Sequence, residues 1–326
     1  MTANKTGYID IHHHIIPEFY LDALKEAGID KAGGLKINNW QPENSIKMMD
    51  RLGIEVGITS ISDPVVEPLE PSKRKAIARE INLLQKQIIK EYPNRFGAFA
   101  TLPLPDVDSA IEEVKYALDN LQLDGVGLLS NYNEVFLGDP QFEPLMKVLD
   151  ERAAVVFIHP STPPDYVPRP KYMPVDFMAE FTFNTTRAAA NLILSGTMDR
   201  YPNIKFILAH AGGTLPYLTW RINECYKLIK QTADESQFVV LAKDPEAYVS
   251  DFYYDTALST QSATFRALEE TTLEDHILFG SDAHYAPENL DQSMINTIKH
   301  QLDLKNETIE NIKYNSALKL FPRFQK

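Results

Sequence analysis

The sequence predicts an α/β fold, a single (β/α)8 TIM barrel spanning residues 1–326 as one domain. Three observations predict it. Eight short strand-like segments recur along the chain with helical segments between them, the order that builds a parallel sheet, and eight such units close into a barrel. The chain of 326 residues has the usual length of one such barrel, with no internal repeat, low-complexity run or interdomain linker to divide it. No Gly-rich phosphate loop follows the first strand, which disfavours the runner-up, an open doubly wound sheet.

The first strand is Tyr8-Ile9-Asp10-Ile11-His12-His13-His14, an apolar run ending in three histidines. Successive strand side chains alternate, so His12 and His14 share a face, where two imidazoles can grip one metal ion. The run is too short, and too embedded in a strand pattern, to be an affinity tag. Residues 17–27 read as a short helix, 28–43 as a loop holding Gly33-Gly34, Asn38-Asn39 and Trp40, and 45–52 as a helix. Further strands are expected at 56–62, 96–102, 125–131, 155–160, 205–212, 252–257 and 277–283. Ile77, Ile81, Leu84 and Ile88 form one helical apolar stripe. Ser109-Ala110-Ile111-Glu112 has the form of a capping box opening a helix to Leu121. Helices follow at 142–152, 186–200 and 215–230. Two loops are longer than connectors need: 28–44, and the proline-rich 161–180 with Tyr166, Tyr172 and Phe177. Both follow strands on the C-terminal face, where barrel enzymes keep their sites.

Composition narrows the function classes. A hydrophobic share of 44% and a charged share of 24% are those of a soluble globular protein. The net charge of −13 argues against nucleic acid or an anionic membrane surface as partner. The lone cysteine, Cys225, allows no internal disulfide, suits a reducing cytosol and is expected to pack within a helix. No apolar run approaches a membrane span and no signal-peptide segment is evident, so a cytoplasmic protein is expected.

The strand ends carry the chemistry. Strand one ends in His12 and His14, strand five in His159, strand six in His210 and strand eight in Asp282. Five of the eight histidines lie at the ends of strands one, five and six. One mouth receives all these groups. Imidazole with carboxylate suits zinc first, with manganese or iron as alternatives. Strand four carries no lysine to bridge two ions, so one divalent metal ion is expected.

These motifs resemble the amidohydrolase superfamily, in its aminocarboxymuconate-semialdehyde decarboxylase-like branch. The carriers are Ile9-Asp10-Ile11-His12-His13-His14, Ile158-His159-Pro160, His210-Ala211-Gly212-Gly213-Thr214-Leu215-Pro216-Tyr217, Phe279-Gly280-Ser281-Asp282 and the tail Asn315-Ser316-Ala317-Leu318-Lys319-Leu320-Phe321. The stretch from Glu180 through Asn184, Thr185 and Arg187 to Gly196 is most similar to 6-methylsalicylate decarboxylases. The resemblance implies that His12, His14, His159 and Asp282 hold the metal, that His210 acts beside it on protons, and that Asp282 also transfers a proton. It implies that Arg221, eleven residues after His210, binds a substrate carboxylate across a homodimer interface. The chain departs from some relatives near 45–47, where they carry arginines and it has Ser45 and Lys47.

The expected activity is non-oxidative decarboxylation of a small aromatic or unsaturated carboxylic acid, 6-methylsalicylate-like. The alternative is metal-dependent hydrolysis of a lactone, amide or related carbonyl compound, which the same ligand set serves. A barrel that keeps a metal for stability alone is a third reading.

Overall fold

The computed structural model describes residues 7–37, 40–164 and 167–325. Asn38, Asn39 and Tyr166 lie outside the described residues. Eight parallel strands follow one another in sequence order: β1 Tyr8–His14, β2 Ile54–Ser60, β3 Phe96–Ala100, β4 Gly125–Leu129, β5 Val155–His159, β6 Lys205–Leu208, β7 Tyr253–Asp255 and β8 Ile277–Leu278. The chain beyond β8 returns to β1. Ile11 N donates to Phe279 O at 3.0 Å, Asp282 N donates to His12 O at 2.9 Å, and His13 bridges Ala283 in parallel. The sheet therefore closes on itself, as expected of a barrel.

Helices cover the outside: α1 Glu18–Glu26, α2 Pro42–Leu52, α3 Pro71–Glu91, α4 Val107–Lys115, α5 Glu143–Asp150, α6 Glu180–Leu194, α7 Leu215–Thr232, α8 Ser262–Thr271 and α9 Glu288–His300. The stripe read on α3 faces inward, with Ile81 and Ile88 buried and Ile77 and Leu84 packed against them. A second core fills the barrel, where Ile9, Ile11, Val56, Ile58, Phe99 and Phe157 meet, and Ala317, Phe321 and Phe324 join it from the C-terminal segment. That core occupies the barrel axis and leaves the C-terminal mouth for polar side chains.

Several boundaries differ from the sequence reading. The α4 helix is capped by Asp106, whose side chain accepts from Ser109 N at 3.1 Å, so Ser109 is not the cap. Aspartate and serine both cap, and here the aspartate that lies before the serine supplies the acceptor. The helix read over 186–200 is two, Glu180–Leu194 and Thr197–Arg200, parted at Gly196 with φ +73°. Cys225 lies exposed on α7 and does not pack. The loop over 28–44 contains a hairpin, Lys31–Ala32 with Leu35–Lys36, and it lies against the second long loop, where Asp176 N donates to Gly33 O at 3.1 Å. Among the described residues no helix is long and apolar enough to cross a membrane.

Candidate metal centre

Strand geometry explains how each group reaches the mouth. In β1, Asp10 pairs with Gly57 and His13 with Thr59, so three steps of β1 span two of β2. This bulge shifts the alternation of side chains. Ile9 and Ile11 face the barrel core, yet so does His12, whose ring lies 5.0 Å from that of Phe157. His14 then shares its face, while His13 turns outward to Ser45 on α2, with Nε2 2.8 Å from Oγ. β5 is regular, and Phe157 and His159 face inward together. In β6 regular alternation would send His210 outward with Phe206 and Leu208. The backbone instead turns left-handed at His210 and Ala211, both at φ +55°, and the imidazole sits 5.0 Å from that of His12. Asp282 is likewise held at φ +66°. Such conformations cost of order 1–3 kcal/mol each and persist where the surroundings impose them.

The structure brings His12, His14, His159 and Asp282 together, all buried, with one ligand atom from each within 4.8 Å of the others. His12 Nε2 lies 2.9 Å from His14 Nε2, and Asp282 Oδ1 lies 3.3 Å from the first and 3.1 Å from the second. Partners on the far ring nitrogens fix two tautomers. His12 Nδ1 donates to Asp255 Oδ2 at 2.6 Å, and His159 Nδ1 donates to Pro160 O at 2.7 Å. The Nε2 lone pairs of both rings therefore face the cluster. Lone pairs converging this closely repel one another unless a cation lies among them. Three imidazole nitrogens and one carboxylate suit a divalent transition metal.

The electrostatics agree. Burial holds the His14 imidazole down to about 4 and His159 well below the usual range, so both are neutral near pH 7. Burial also disfavours charge on Asp282, but the His12, His14 and His210 imidazoles outweigh it and hold the carboxyl well below the carboxylate range. Burial lowers His12 too, yet Asp255 and Asp282 raise it to about 10. The same field that would hold a proton on His12 attracts a metal cation in its place. These four residues form a site for one divalent metal ion.

His210 stands beside the cluster, with Nε2 3.3 Å from Asp282 Oδ2 and its Nδ1 buried without a hydrogen-bond partner among the described residues. Arg221 is not brought to this mouth. It lies exposed on α7, outside the lining of the cavity. That cavity, about 300 Å³, opens over His159 and Asp282 and is walled by Leu35, Phe177, Phe181, Tyr285 and Leu290, with Ser62 as a further polar group. Both long loops contribute to it: Ala32, Gly33 and Leu35 come from the first and Phe177 from the second. Among the described residues no lysine or arginine lines it.

Sequence reasoning missed a set of supporting residues. Asp255, at the end of β7, is fully buried against His12 and His210. Asp10 accepts from Ser281 N at 2.9 Å and Ser281 Oγ at 2.6 Å, tying β1 to the segment carrying Asp282. Gly280 sits where a Cβ would lie 2.9 Å from that of His12 and 3.0 Å from that of Asp255. The signal that could have found Asp255 was position: it ends an apolar strand, as His159 does.

A sequence model of the amidohydrolase family (Amidohydro_2) matches residues 9–323. The chain is 36% identical to decarboxylase yanB of Aspergillus niger over 341 aligned residues, covering 97% of this chain and 88% of that protein. It is 35% identical to the 6-methylsalicylic acid decarboxylase of Penicillium expansum, with 97% of each covered. A solved structure described as an amidohydrolase II superposes with a TM-score of 0.90 at 26% identity, over 97% of this chain and all of that one. In sequence, in fold and in the ligands at its strand ends, the chain belongs to the amidohydrolase family, in the branch that contains the 6-methylsalicylic acid decarboxylases.

Proposed function

We propose that the protein is a metal-dependent, non-oxidative decarboxylase of a small aromatic carboxylic acid, with 6-methylsalicylate as the type substrate and zinc as the metal. The observation that carries this reading is the pairing of a three-histidine, one-aspartate cluster with a cavity whose walls are apolar and aromatic. Phe181 and Tyr285 offer the cavity aromatic walls for a planar ring, and Leu35 and Leu290 offer apolar partners for an alkyl substituent. The relatives named as decarboxylases favour it over hydrolysis.

His12, His14, His159 and Asp282 would hold the ion. A divalent cation there supplies Lewis acidity toward the carboxylate and phenolate oxygens of the substrate. The chain's own groups do the rest. Phe177, Phe181 and Leu35 exclude water and fix the ring over the mouth. The proton for the ring carbon that bears the carboxylate would be relayed from His210 through the Asp282 carboxylate, whose Oδ2 lies 3.3 Å from His210 Nε2. The C–C bond then breaks, its electron pair returns into the ring, and CO2 leaves. Solvent restores the proton. Protonation first removes the need for a free carbanion. Burial raises the Tyr285 phenol, which keeps it a hydrogen-bond donor for the substrate's oxygens.

Among the described residues no cation lines the cavity; in this reading the protein is a homodimer, and Arg221 of a second subunit would meet the substrate carboxylate beside the metal. The reading also includes a cytoplasmic location, one domain over residues 1–326, and no nucleic-acid or membrane partner.

The test is a substrate panel offered to zinc-loaded protein: 6-methylsalicylate, 2,6-dihydroxybenzoate and simple aryl lactones, assayed for CO2 release and ring opening. The expected result is CO2 and 3-methylphenol from 6-methylsalicylate. Lactone opening without CO2 release from any acid would establish the hydrolase reading in its place.

A further inference from the structure

The carboxylate of Asp255 meets two different parts of the site at once. Its Oδ2 accepts from His12 Nδ1 at 2.6 Å. Its Oδ1 accepts from His210 N at 2.8 Å and from Ala257 N at 3.0 Å. The residue is fully buried at the end of β7, as is His12 at the bulge of β1. Gly280 on the neighbouring segment lets both side chains approach this closely, since a Cβ there would lie 2.9 Å from His12 Cβ and 3.0 Å from Asp255 Cβ.

We propose that Asp255 is a positioning residue that sets two functions with one carboxylate: it fixes His12 in the Nδ1–H tautomer that presents Nε2 to the metal, and it anchors the left-handed turn that brings His210 over the mouth. The inference rests on the metal site and not on the identity of the substrate.

The first function follows from the geometry of a carboxylate whose two oxygens both accept. Oδ2 can bond His12 only if Nδ1 carries the proton, which leaves the lone pair on Nε2. The second follows from the backbone. At φ +55° His210 has left the strand ladder, and its N–H finds its acceptor in Asp255 Oδ1. That bond is made in the same conformation that turns the imidazole inward. A neutral amide at this position cannot serve all three donors. If its oxygen faced His12, its NH2 would oppose the N–H groups of His210 and Ala257. If its oxygen faced them, its NH2 would donate to His12 Nδ1 and move the ring proton to Nε2, where the metal binds.

Asp255→Asn preserves volume and is the direct test. The apo-protein is titrated with Mn2+ and with Zn2+ to obtain the dissociation constants, and the rate is then measured at metal saturation. The expected result is metal affinity weakened roughly 10- to 100-fold, with a further fall in kcat that excess metal does not restore. In a double-mutant cycle with His12→Ala, the two effects on Mn2+ affinity are expected to be strongly non-additive. Affinity and saturated kcat both unchanged, with only a lower melting temperature, would make Asp255 a structural residue and overturn the proposal. Should the variant fail to fold, 15N correlation spectra of the Zn2+-loaded wild-type protein answer the tautomer question. A slowly exchanging proton on His12 Nδ1 is expected, and a His12 ring without one overturns the assignment.

Discussion

A ligand atom is useful only when its lone pair points the right way, and in this site that is decided one residue outward. His12 takes its tautomer from Asp255 and His159 from the Pro160 carbonyl, while His14 Nδ1 lies 3.2 Å from Ser60 Oγ. His12→Ala or Asp282→Ala is therefore expected to lose most of the bound metal by elemental analysis, together with activity. His210 is different in kind, because its neighbour is a ligand's free oxygen. His210→Asn is expected to keep the metal and lower the rate roughly 10²–10⁴-fold. Metal lost in step with activity would make it a ligand. Away from the centre, burial and then the charge of Asp63 push the Glu67 carboxyl up to about 7, and its Oε1 has no partner among the described residues. A carboxyl raised on folding stabilises fully below its unfolded value of 4.5 and loses that contribution as pH rises to about 7. Glu67→Gln is thus expected to match the wild type in urea unfolding near pH 4.5 and to exceed it by about 1–3 kcal/mol at pH 8. The ligands were legible because histidines are few and each closes an apolar strand. Asp255 and Asp10 were not, because 45 acidic residues give a lone carboxylate no contrast.

At the level of elements, the barrel is regular where it is structural and irregular where it binds. The alternation that correctly put His12 and His14 on one face does not by itself put them on the face of Ile9 and Ile11. The bulge between Asp10 and His13 does that, and nothing in the residue pattern YIDIHHH announces it. His210 likewise reaches the mouth through a left-handed turn, of which only Gly212-Gly213 gave a sign. Strand ends were read too long for a related reason. Residues such as 209–212 and 279–283 stay buried and largely apolar beyond the regular ladder, where only isolated backbone bonds such as Asp282 N to His12 O continue it, so composition runs on where regular pairing stops. Close packing between these irregular ends makes a sharp prediction. Gly280→Ala would place a Cβ 2.9 Å from His12 Cβ and 3.0 Å from Asp255 Cβ. The expected outcome is a folded protein, by circular dichroism and cooperative melting, whose metal affinity has fallen well below that of the wild type. Unchanged metal affinity would mean that the β1–β7 spacing relaxes without disturbing His12.

The whole molecule presents one face that a lone barrel does not explain. On α7, Tyr217 is 83% exposed and Trp220 is 73% exposed, with Leu228 and the charged Arg221 on the same helix. Exposed aromatic side chains around an arginine are the composition of an interface core. The arginine has no ion-pair partner among the described residues, whereas many surface arginines do, Arg51 with Glu288 and Arg152 with Asp119 among them. Meanwhile the cavity that should take a carboxylate has no cation among the described residues of its lining. A two-fold dimer would answer both facts, each subunit lending Arg221 to the other's mouth. Arg221→Ala is then expected to raise KM while leaving metal content unchanged. A mixed dimer separates lending from acting at home. A His12→Ala chain has no working metal site but keeps its arginine, and an Arg221→Ala chain has an intact metal site but no arginine to give. Joined, they assemble one complete site, on the Arg221→Ala chain. Each parent should be nearly inactive at low substrate, and the purified mixed dimer should recover up to half the wild-type dimer's activity. A verified mixed dimer without recovery would mean that Arg221 serves its own chain or does not touch substrate. A protein that sediments as a monomer at working concentration would remove the dimer altogether.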